Sequence, residues 1–106
     1  MKIESLVNQL DSKSGINNNS SAVLLQNNPN PFTSETEIKM TLPENVGHAT
    51  VTIFNLEGKQ MKSIQVNDRG EVLVKILGSE LSAGMYLYAL IADGKVVDTK
   101  RMILTE

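Results

Sequence analysis

Few side chains in this sequence belong to types and spacings that could support catalysis or metal binding. His48 is the single histidine, and no carboxylate cluster accompanies it at metal-ligand spacing. Glu35 and Glu37 fall on one face of a predicted strand, where two acids are more often a solvated surface than a general acid and base. The absence of cysteine excludes thiolate nucleophiles, disulfides and zinc–thiolate sites. We therefore expect no enzymatic activity, no metal and no cofactor.

The serine-containing and aspartate-containing loops do not change this expectation. The stretch "SELSAG" lacks the G-x-S-x-G context of a hydrolase nucleophile. The stretches "NDRGE" and "IADGK" lack the ligand spacing of a calcium-binding loop. Tyr86 and Tyr88 lie on one face of a predicted strand and could stack on a sugar or a base, but the strand is so apolar that we expect them in the core. A surface module that binds carbohydrate or protein remains the alternative.

The composition indicates one small domain without a nucleic-acid-binding surface. The chain has 106 residues, with ten basic and twelve acidic side chains. A net charge of −2 does not provide the basic face that nucleic acid or an anionic membrane attracts. No apolar run is long enough to predict a transmembrane span. Because "MKIESLVNQL" lacks the apolar region of a signal peptide, we expect a chain that is not exported by itself or the C-terminal part of a longer precursor.

The first 21 residues separate into two segments. Residues 1–10 place apolar side chains at helical spacing and predict a short helical stub, too short to be stable alone in water. The stripe consists of Ile3, Leu6, Val7 and Leu10. It is either the end of a coiled coil, which would allow self-association, or a segment that docks weakly or frays. Residues 11–21, "DSKSGINNNSS", have the composition of a flexible linker.

From residue 22 to residue 106 the apolar residues follow the period-two pattern of β-strands. Segments such as "ETEIKMTL", "ATVTIFN" and "EVLVKIL" alternate apolar and polar side chains, and short turns separate them. The Asp93-Gly94 pair predicts a two-residue hairpin. "GMYLYALIA" is apolar on both faces and predicts a central strand that is covered on both sides at least in part. About seven strands of this kind predict an immunoglobulin-like antiparallel β-sandwich, with a small barrel as the alternative.

The stretch "NNPNPF" stands at the start of this domain. Asn28 and Asn30 each precede a proline, which favours extended backbone geometry. Pro29 and Pro31 fix φ and have no N–H to donate. We therefore expect an extended, poorly pairing segment that ends the linker and begins the sandwich, with Phe32 available to close its end.

Four motifs in order resemble the type A C-terminal sorting domain of the type IX (Por) secretion system of Bacteroidetes. They are "NPNPF", "LEG", "LSAGMY" and the basic pair before the apolar end "MIL", and the similarity extends from about Leu24 to Glu106. The residues that carry it are Asn28, Pro29, Pro31, Phe32, Gly58, Leu81, Gly84, Tyr86, Lys100 and Arg101. The resemblance implies a folded recognition domain without catalytic residues.

The same resemblance implies a route and a set of partners. Such domains direct an attached N-terminal cargo from the periplasm through the outer-membrane translocon to the cell surface or the medium, and a sortase usually removes them. The implied partners are therefore translocon components, the sortase and the cargo of the same precursor. We expect Lys100 and Arg101 to be an exposed basic pair that contacts an acidic partner, or else edge-strand charges that discourage pairing with other strands.

Overall fold

The computed structural model describes residues 22–106, which form seven β-strands and one turn of 3₁₀ helix. The strands are β1 (Val23–Leu24), β2 (Glu35–Leu42), β3 (Ala49–Asn55), β4 (Gln60–Gln65), β5 (Gly70–Leu77), β6 (Gly84–Ala92) and β7 (Lys95–Leu104). The 3₁₀ helix (Gly78–Glu80) lies between β5 and β6. The predicted helical stub (1–10) and linker (11–21) lie outside the described residues.

The strands form two antiparallel sheets. Sheet A has the order β1-β2-β5, and sheet B has the order β4-β3-β6-β7. Two separate sheets that enclose one apolar core confirm the predicted immunoglobulin-like sandwich rather than the barrel. No helix in the described part of the chain is both long and apolar enough to cross a membrane.

The core follows from the alternation along each strand. In β2 the side chains of Ile38, Met40 and Leu42 are buried, whereas the intervening charged residues are exposed. Val51 and Ile53 of β3 face them from sheet B. Full burial of an aliphatic side chain of this size contributes about 1.5–3 kcal/mol, so the two inner faces hold the sheets together.

Strand β6 lies in the interior of sheet B, as its sequence predicts. It pairs with β3 on one side and β7 on the other. Both central residues of the predicted hairpin that joins β6 to β7 have positive φ, 51° at Asp93 and 81° at Gly94, which is the geometry of a type I′ turn. The tyrosines point into the core: Tyr88 is fully buried and Tyr86 is 5% exposed. The alternative that they form a sugar-stacking platform is therefore wrong.

The strand registers define two poles of the sandwich. Glu35 pairs with Leu77 in sheet A, and Gly84 pairs with Leu104 in sheet B. These strand ends, with the adjoining residues 28–34, 55–60, 77–84 and 104–106, form what we call the C-terminal pole. Ala22 and the loops 43–48, 66–69 and 93–94 lie at the other end, which we call the N-terminal pole.

A hydrogen-bonded cluster joins the loops of the N-terminal pole. The carboxylate of Asp93 accepts hydrogen bonds from the backbone N–H groups of Gly47 (3.0 Å) and His48 (2.9 Å). These bonds favour the ionised form and lower the pKa of Asp93. The guanidinium of Arg69 donates to the carbonyl oxygens of Val46 and Gly47, so it fixes the same loop from the opposite side. His48 is an exposed residue of this cluster.

Candidate recognition site

The first motif and the last strand meet at the C-terminal pole. Phe32, the last residue of "NPNPF", is 2% exposed and forms a parallel bridge with Leu104. The backbone N–H of Phe32 donates to Ile103 O (2.9 Å), and the N–H of Thr105 donates to Phe32 O (2.8 Å). The first motif of the domain is therefore attached to its last strand, and Phe32 closes the end of the core as expected.

Side chains that precede Phe32 extend this attachment along the outer edge of β7. The amide of Gln26 donates to the carbonyl oxygen of Arg101, and Asn30 Oδ1 accepts from the N–H of Ile103 (2.9 Å). An edge strand presents unpaired backbone groups, which invite pairing with other chains. Residues 26–32 occupy these groups over the last third of β7.

Two side chains that the sequence interpretation missed hold the proline-rich segment. Asn27 is 3% exposed and Thr36 is fully buried. Asn27 Nδ2 donates to Thr36 Oγ1 (3.0 Å) and to Pro29 O (3.1 Å), and the hydroxyl of Thr36 donates to the same carbonyl (2.7 Å). The sequence could have predicted that Thr36 is buried, because it falls in the same alternating register as Ile38 and Met40.

The expectation of an extended, poorly pairing segment is wrong. Both Asn–Pro peptide bonds are cis, and the backbone bends at residues 29–31. Proline has no N–H, but the flanking residues keep theirs, and these are paired. Asn28 exchanges two backbone hydrogen bonds with Glu37, and Phe32 is bonded to the end of β7. The segment therefore bridges sheet A and sheet B.

The "LSAGMY" segment lies at the same pole and leads into β6. Leu81 is half-buried against the core, and Gly84 has φ +154°, a backbone conformation that side-chain-bearing residues rarely adopt. The hydroxyl of the buried Tyr86 donates to the carbonyl oxygen of Ser82, four residues upstream. This bond resembles the tyrosine corner of immunoglobulin-like domains and fixes the loop against the strand.

Gly78 is a second residue that the sequence interpretation missed. Its N–H donates to Ser34 O (2.8 Å), and a Cβ at this position would lie 2.4 Å from Thr33 O and 3.0 Å from Leu104 Cδ1. The backbone at Gly78 therefore packs so close to the backbone at Thr33 that any other residue at position 78 would clash. Its position between a predicted strand and a predicted loop gave no signal of this contact.

A shallow groove of about 490 Å³ lies where these segments converge. Its walls come from the end of the first motif region, from the loop before β6 and from the chain end. The lining residues are Thr33, Ser34, Gly78, Ser79, Leu81, Ala83, Leu104, Thr105 and Glu106. The groove thus combines three of the four motif regions in one surface.

The "LEG" turn between β3 and β4 lies at the same pole. Gly58 has φ +88°, a conformation for which glycine is favoured in turns. Asn55 Oδ1 accepts hydrogen bonds from the backbone N–H groups of Glu57 and Lys59, both at 2.9 Å. Next to this turn, Lys62 forms an ion pair of 2.9 Å with Glu80 of the 3₁₀ helix. The turn is therefore linked to the loop that carries the "LSAGMY" motif.

The basic residues differ from the expected exposed pair. Lys100 lies opposite the buried Tyr88, is half-buried and approaches Asp98 at 3.5 Å. Arg101 lies opposite Leu87 and is exposed on the other face of sheet B. Neighbouring residues of a strand point to opposite faces, so the two cations cannot form one contact surface. Only Arg101 is freely accessible.

The acidic residues singled out in the sequence and the phenol of Tyr88 lie in different environments. Glu35 and Glu37 are exposed on the outer face of sheet A, and Glu35 lies 3.8 Å from Lys75. No group of three or more potential metal ligands converges within residues 22–106. Burial raises the pKa of Tyr88 to about 12, and its hydroxyl donates to Leu25 O (2.8 Å), so this phenol is a neutral structural group.

Comparison with known proteins agrees with this architecture. A solved structure described as "Biofilm associated protein - BSP domain" superposes with a TM-score of 0.50 at 19% sequence identity. The match covers 76% of this chain but only 15% of that protein, and at this identity it supports the fold alone. No curated protein sequence matches the chain significantly.

The family model described as "Secretion system C-terminal sorting domain" matches residues 28–105. The match begins at Asn28 of the first motif and ends at Thr105, which is hydrogen-bonded to Phe32. It therefore spans the backbone contacts that join Phe32 to the last strand, whereas Gln26, which bonds to Arg101, lies just before the matched residues. The chain belongs to the family of secretion system C-terminal sorting domains.

Proposed function

We propose that this domain is the export signal of a type IX cargo protein and that the translocon recognises it in the folded state through the C-terminal pole. Membership in the sorting-domain family supports a C-terminal secretion signal and export by the type IX system. Domains of this family are in general not catalytic. The observation that carries the proposal is the convergence on one pole of the end of "NPNPF", the "LEG" turn, the start of "LSAGMY" and the apolar end of β7.

The convergence favours recognition of the folded domain over recognition of a linear peptide. Phe32 and Leu104 are distant in sequence, and they become neighbours only when sheet B is complete. The groove likewise combines residues 33–34, 78–83 and 104–106. A receptor that binds this surface therefore tests whether the domain has folded, because an unfolded chain does not present it.

The position of Ala22, where the described residues begin, is compatible with a cargo attached on the side of the opposite pole. Val23 pairs with Thr41 near the end of β2, and Ala22 precedes it beside the loops of the N-terminal pole. The ten residues of β7 span about 33 Å at 3.3 Å per residue. The chain thus enters the sandwich about one strand length from the groove, which leaves the groove accessible to the translocon.

Arg101 is the charged residue that we propose as a translocon contact. It is exposed on sheet B, while its own carbonyl is held by Gln26 of the first motif region. Lys100 has Asp98 within 3.5 Å and serves the structure of the edge instead. The variant Arg101→Glu should therefore reduce export more than Lys75→Glu, which changes an exposed lysine on sheet A.

Sortase cleavage after translocation is part of the same proposal. The expected position lies upstream of the compact domain, because β1 and the first motif are integrated in the sandwich from Val23 onward. A protease needs a segment that it can extend in its active site, and residues within a ladder do not provide one. Released cargo should thus lack the whole of residues 22–106.

The experiment is a fusion in a host that has the type IX system. A Sec signal and a fluorescent reporter are placed before the full chain, and the reporter is measured in periplasm, surface and medium fractions. We expect reporter at the surface or in the medium, with a mass that shows removal of the domain. The same fusion in a host without the translocon is the control. Folded fusion that stays in the periplasm of the competent host would contradict the proposal.

A further inference from the structure

A row of small side chains crosses the outer face of sheet B, the face directed away from sheet A. Thr52 of β3 lies opposite Ser63 on one side and Ala89 on the other, and Ala89 lies opposite Thr99 of β7. These residues alternate with core residues such as Ile53 and Tyr88, so they point outward. The row therefore runs across all four strands of the sheet.

Larger side chains border most of this row. One border consists of Phe54, Leu87 and Arg101, and the other consists of Ile91 and Val96, with the smaller Thr50 in line with them on β3. Small residues between two larger borders make a trough, which we call the sheet B trough. With strands about 4.8 Å apart, it is about 14 Å long from the first strand to the fourth.

The floor of the trough is more buried than an outer sheet face normally is. Thr52 is 4% exposed and Ala89 is 2% exposed, although sheet A packs on the other side of sheet B. The hydroxyl of Thr99 is buried and has no hydrogen-bond partner within residues 22–106. A buried polar group without a partner costs about 1–3 kcal/mol. A segment that covers this face and bonds to the Thr99 hydroxyl would remove that cost.

The outer face of sheet A provides the contrast. Its side chains Glu37, Lys39 and Leu73 are all exposed, and charged residues predominate. Polar and charged outward faces are usual in antiparallel sheets that border water. Sheet B instead carries Phe54, Leu87 and Ile91 half-buried on its outward side.

We propose that residues 1–10 of this chain occupy the sheet B trough as an amphipathic helix. Their four apolar residues, Ile3, Leu6, Val7 and Leu10, fall on one helical face. A helix of ten residues is about 15 Å long, which matches the trough. An isolated helix of this length is marginal in water and needs such packing, and the small floor residues allow close approach.

The entry of the chain into the domain agrees with this placement. Strand β1 contacts β7, so the chain enters the domain beside the edge of sheet B. A random-coil segment of eleven residues, which is the length of 11–21, has a root-mean-square span of about 18 Å, enough to pass around an edge about 10 Å thick.

This interaction goes beyond the sorting function, because it concerns the segment before the family motif. The folded unit then begins near Ile3, and residues 22–106 alone would expose the apolar borders of the trough. Arg101 borders the trough and is also the proposed translocon contact, so the two proposals are separated by changes elsewhere: changes in the groove test export, and changes in the apolar stripe test helix docking.

The test uses the full chain with one nitroxide label. The chain has no cysteine, so Ser5→Cys gives a single labelling site off the apolar stripe. We expect strong paramagnetic broadening of the amide signals of Thr52, Ala89 and Thr99, and at least threefold weaker broadening at Leu73 in sheet A. Adding Leu6→Asp should remove the broadening in sheet B, whereas the matched change Asn8→Asp, off the stripe, should keep it.

Three results would overturn the proposal. The first is equal broadening of both sheets, and the second is no broadening in either. The third concerns a mixture of labelled chains with chains that carry no label. If the sheet B amide signals of the unlabelled chains broaden as strongly as those of a labelled chain, the helix occupies the trough of a second copy.

Discussion

Phe32 lies beside Leu104 at the C-terminal pole, and this bridge joins the first family motif to the last strand of the domain. Backbone hydrogen bonds to Ile103 and from Thr105 flank it on both sides. The pairing explains why a motif at the start of the domain and a motif at its end can belong to one signal. Each motif supplies one half of a surface that the fold assembles.

Phe32→Ala should strongly destabilise the domain. The side chain is 2% exposed in the core, and removal of a buried phenylalanine costs about 3–5 kcal/mol because the cavity relaxes only in part. Urea denaturation of the full chain measures the loss. The matched variant is Phe54→Ala, which truncates a half-buried phenylalanine on the outer face of sheet B and should cost less. Equal losses for the two variants would show that Phe32 does not close the core.

Gly78→Ala should disturb the C-terminal pole by a steric contact. The added Cβ would lie 2.4 Å from Thr33 O, so the 3₁₀ helix and the first motif region must separate. We expect a loss of about 2–3 kcal/mol and changed amide shifts at Thr33 and Leu104.

The control for this variant is Gly70→Ala. Gly70 has φ +85° but no heavy atom within 4 Å of the added Cβ, so only the backbone conformation is penalised, by about 1 kcal/mol. The amide chemical shifts that Gly70→Ala changes should belong to residues of the N-terminal pole. A Gly78→Ala variant as stable as Gly70→Ala, with unchanged shifts at Thr33, would refute the close approach.

Much of the fold could be predicted from the sequence, because period-two alternation reports directly which face of a strand is buried. β2, β3 and the hairpin at Asp93-Gly94 were predicted for this reason. The pairing of Phe32 with Leu104 could not be derived from local pattern, since it depends on how the two sheets meet. The close packing at Gly78 could not be derived from local pattern either, because its neighbours come from distant segments.

Two differences at the site have simpler causes. Neighbouring residues of a strand point to opposite faces, so Lys100 and Arg101 lie on opposite faces of β7. This rule alone could have shown that they do not form one exposed pair. The bends at Pro29 and Pro31 arise in a segment held by the buried Asn27 and Thr36. A buried asparagine is unusual, and nothing in the local sequence identifies it as a core residue.

Tyr88 should make stability depend on pH in the alkaline range. Its folded pKa of about 12 lies above the unfolded value near 10, so the unfolded chain releases the phenol proton first. The contribution is fully present below pH 10 and is lost as the pH rises from about 10 to 12. Urea denaturation between pH 8 and 12 should show this fall in the wild type.

Tyr88→Phe provides the comparison. At pH 8 it should cost about 1 kcal/mol, because Leu25 O loses its hydrogen-bond donor. Since phenylalanine does not titrate, the advantage of the wild type over the variant should shrink above pH 10 and be lost or reversed by pH 12. Parallel curves over the whole range would contradict the structural role assigned to this phenol.

The central claim is that the export signal is the surface at the C-terminal pole. Ser79→Arg places a large cation in the groove at an exposed position, and Glu44→Arg places one in an exposed loop of the N-terminal pole. Both changes should leave the melting temperature within about 2 °C of the wild type, because surface substitutions usually change stability by less than 0.5 kcal/mol. The deciding measurement is the secreted fraction of a reporter fused before each full-length variant in a type IX-competent host. We expect at least a tenfold loss for Ser79→Arg and normal export for Glu44→Arg, whereas equal export of the two folded variants would contradict recognition through the C-terminal pole.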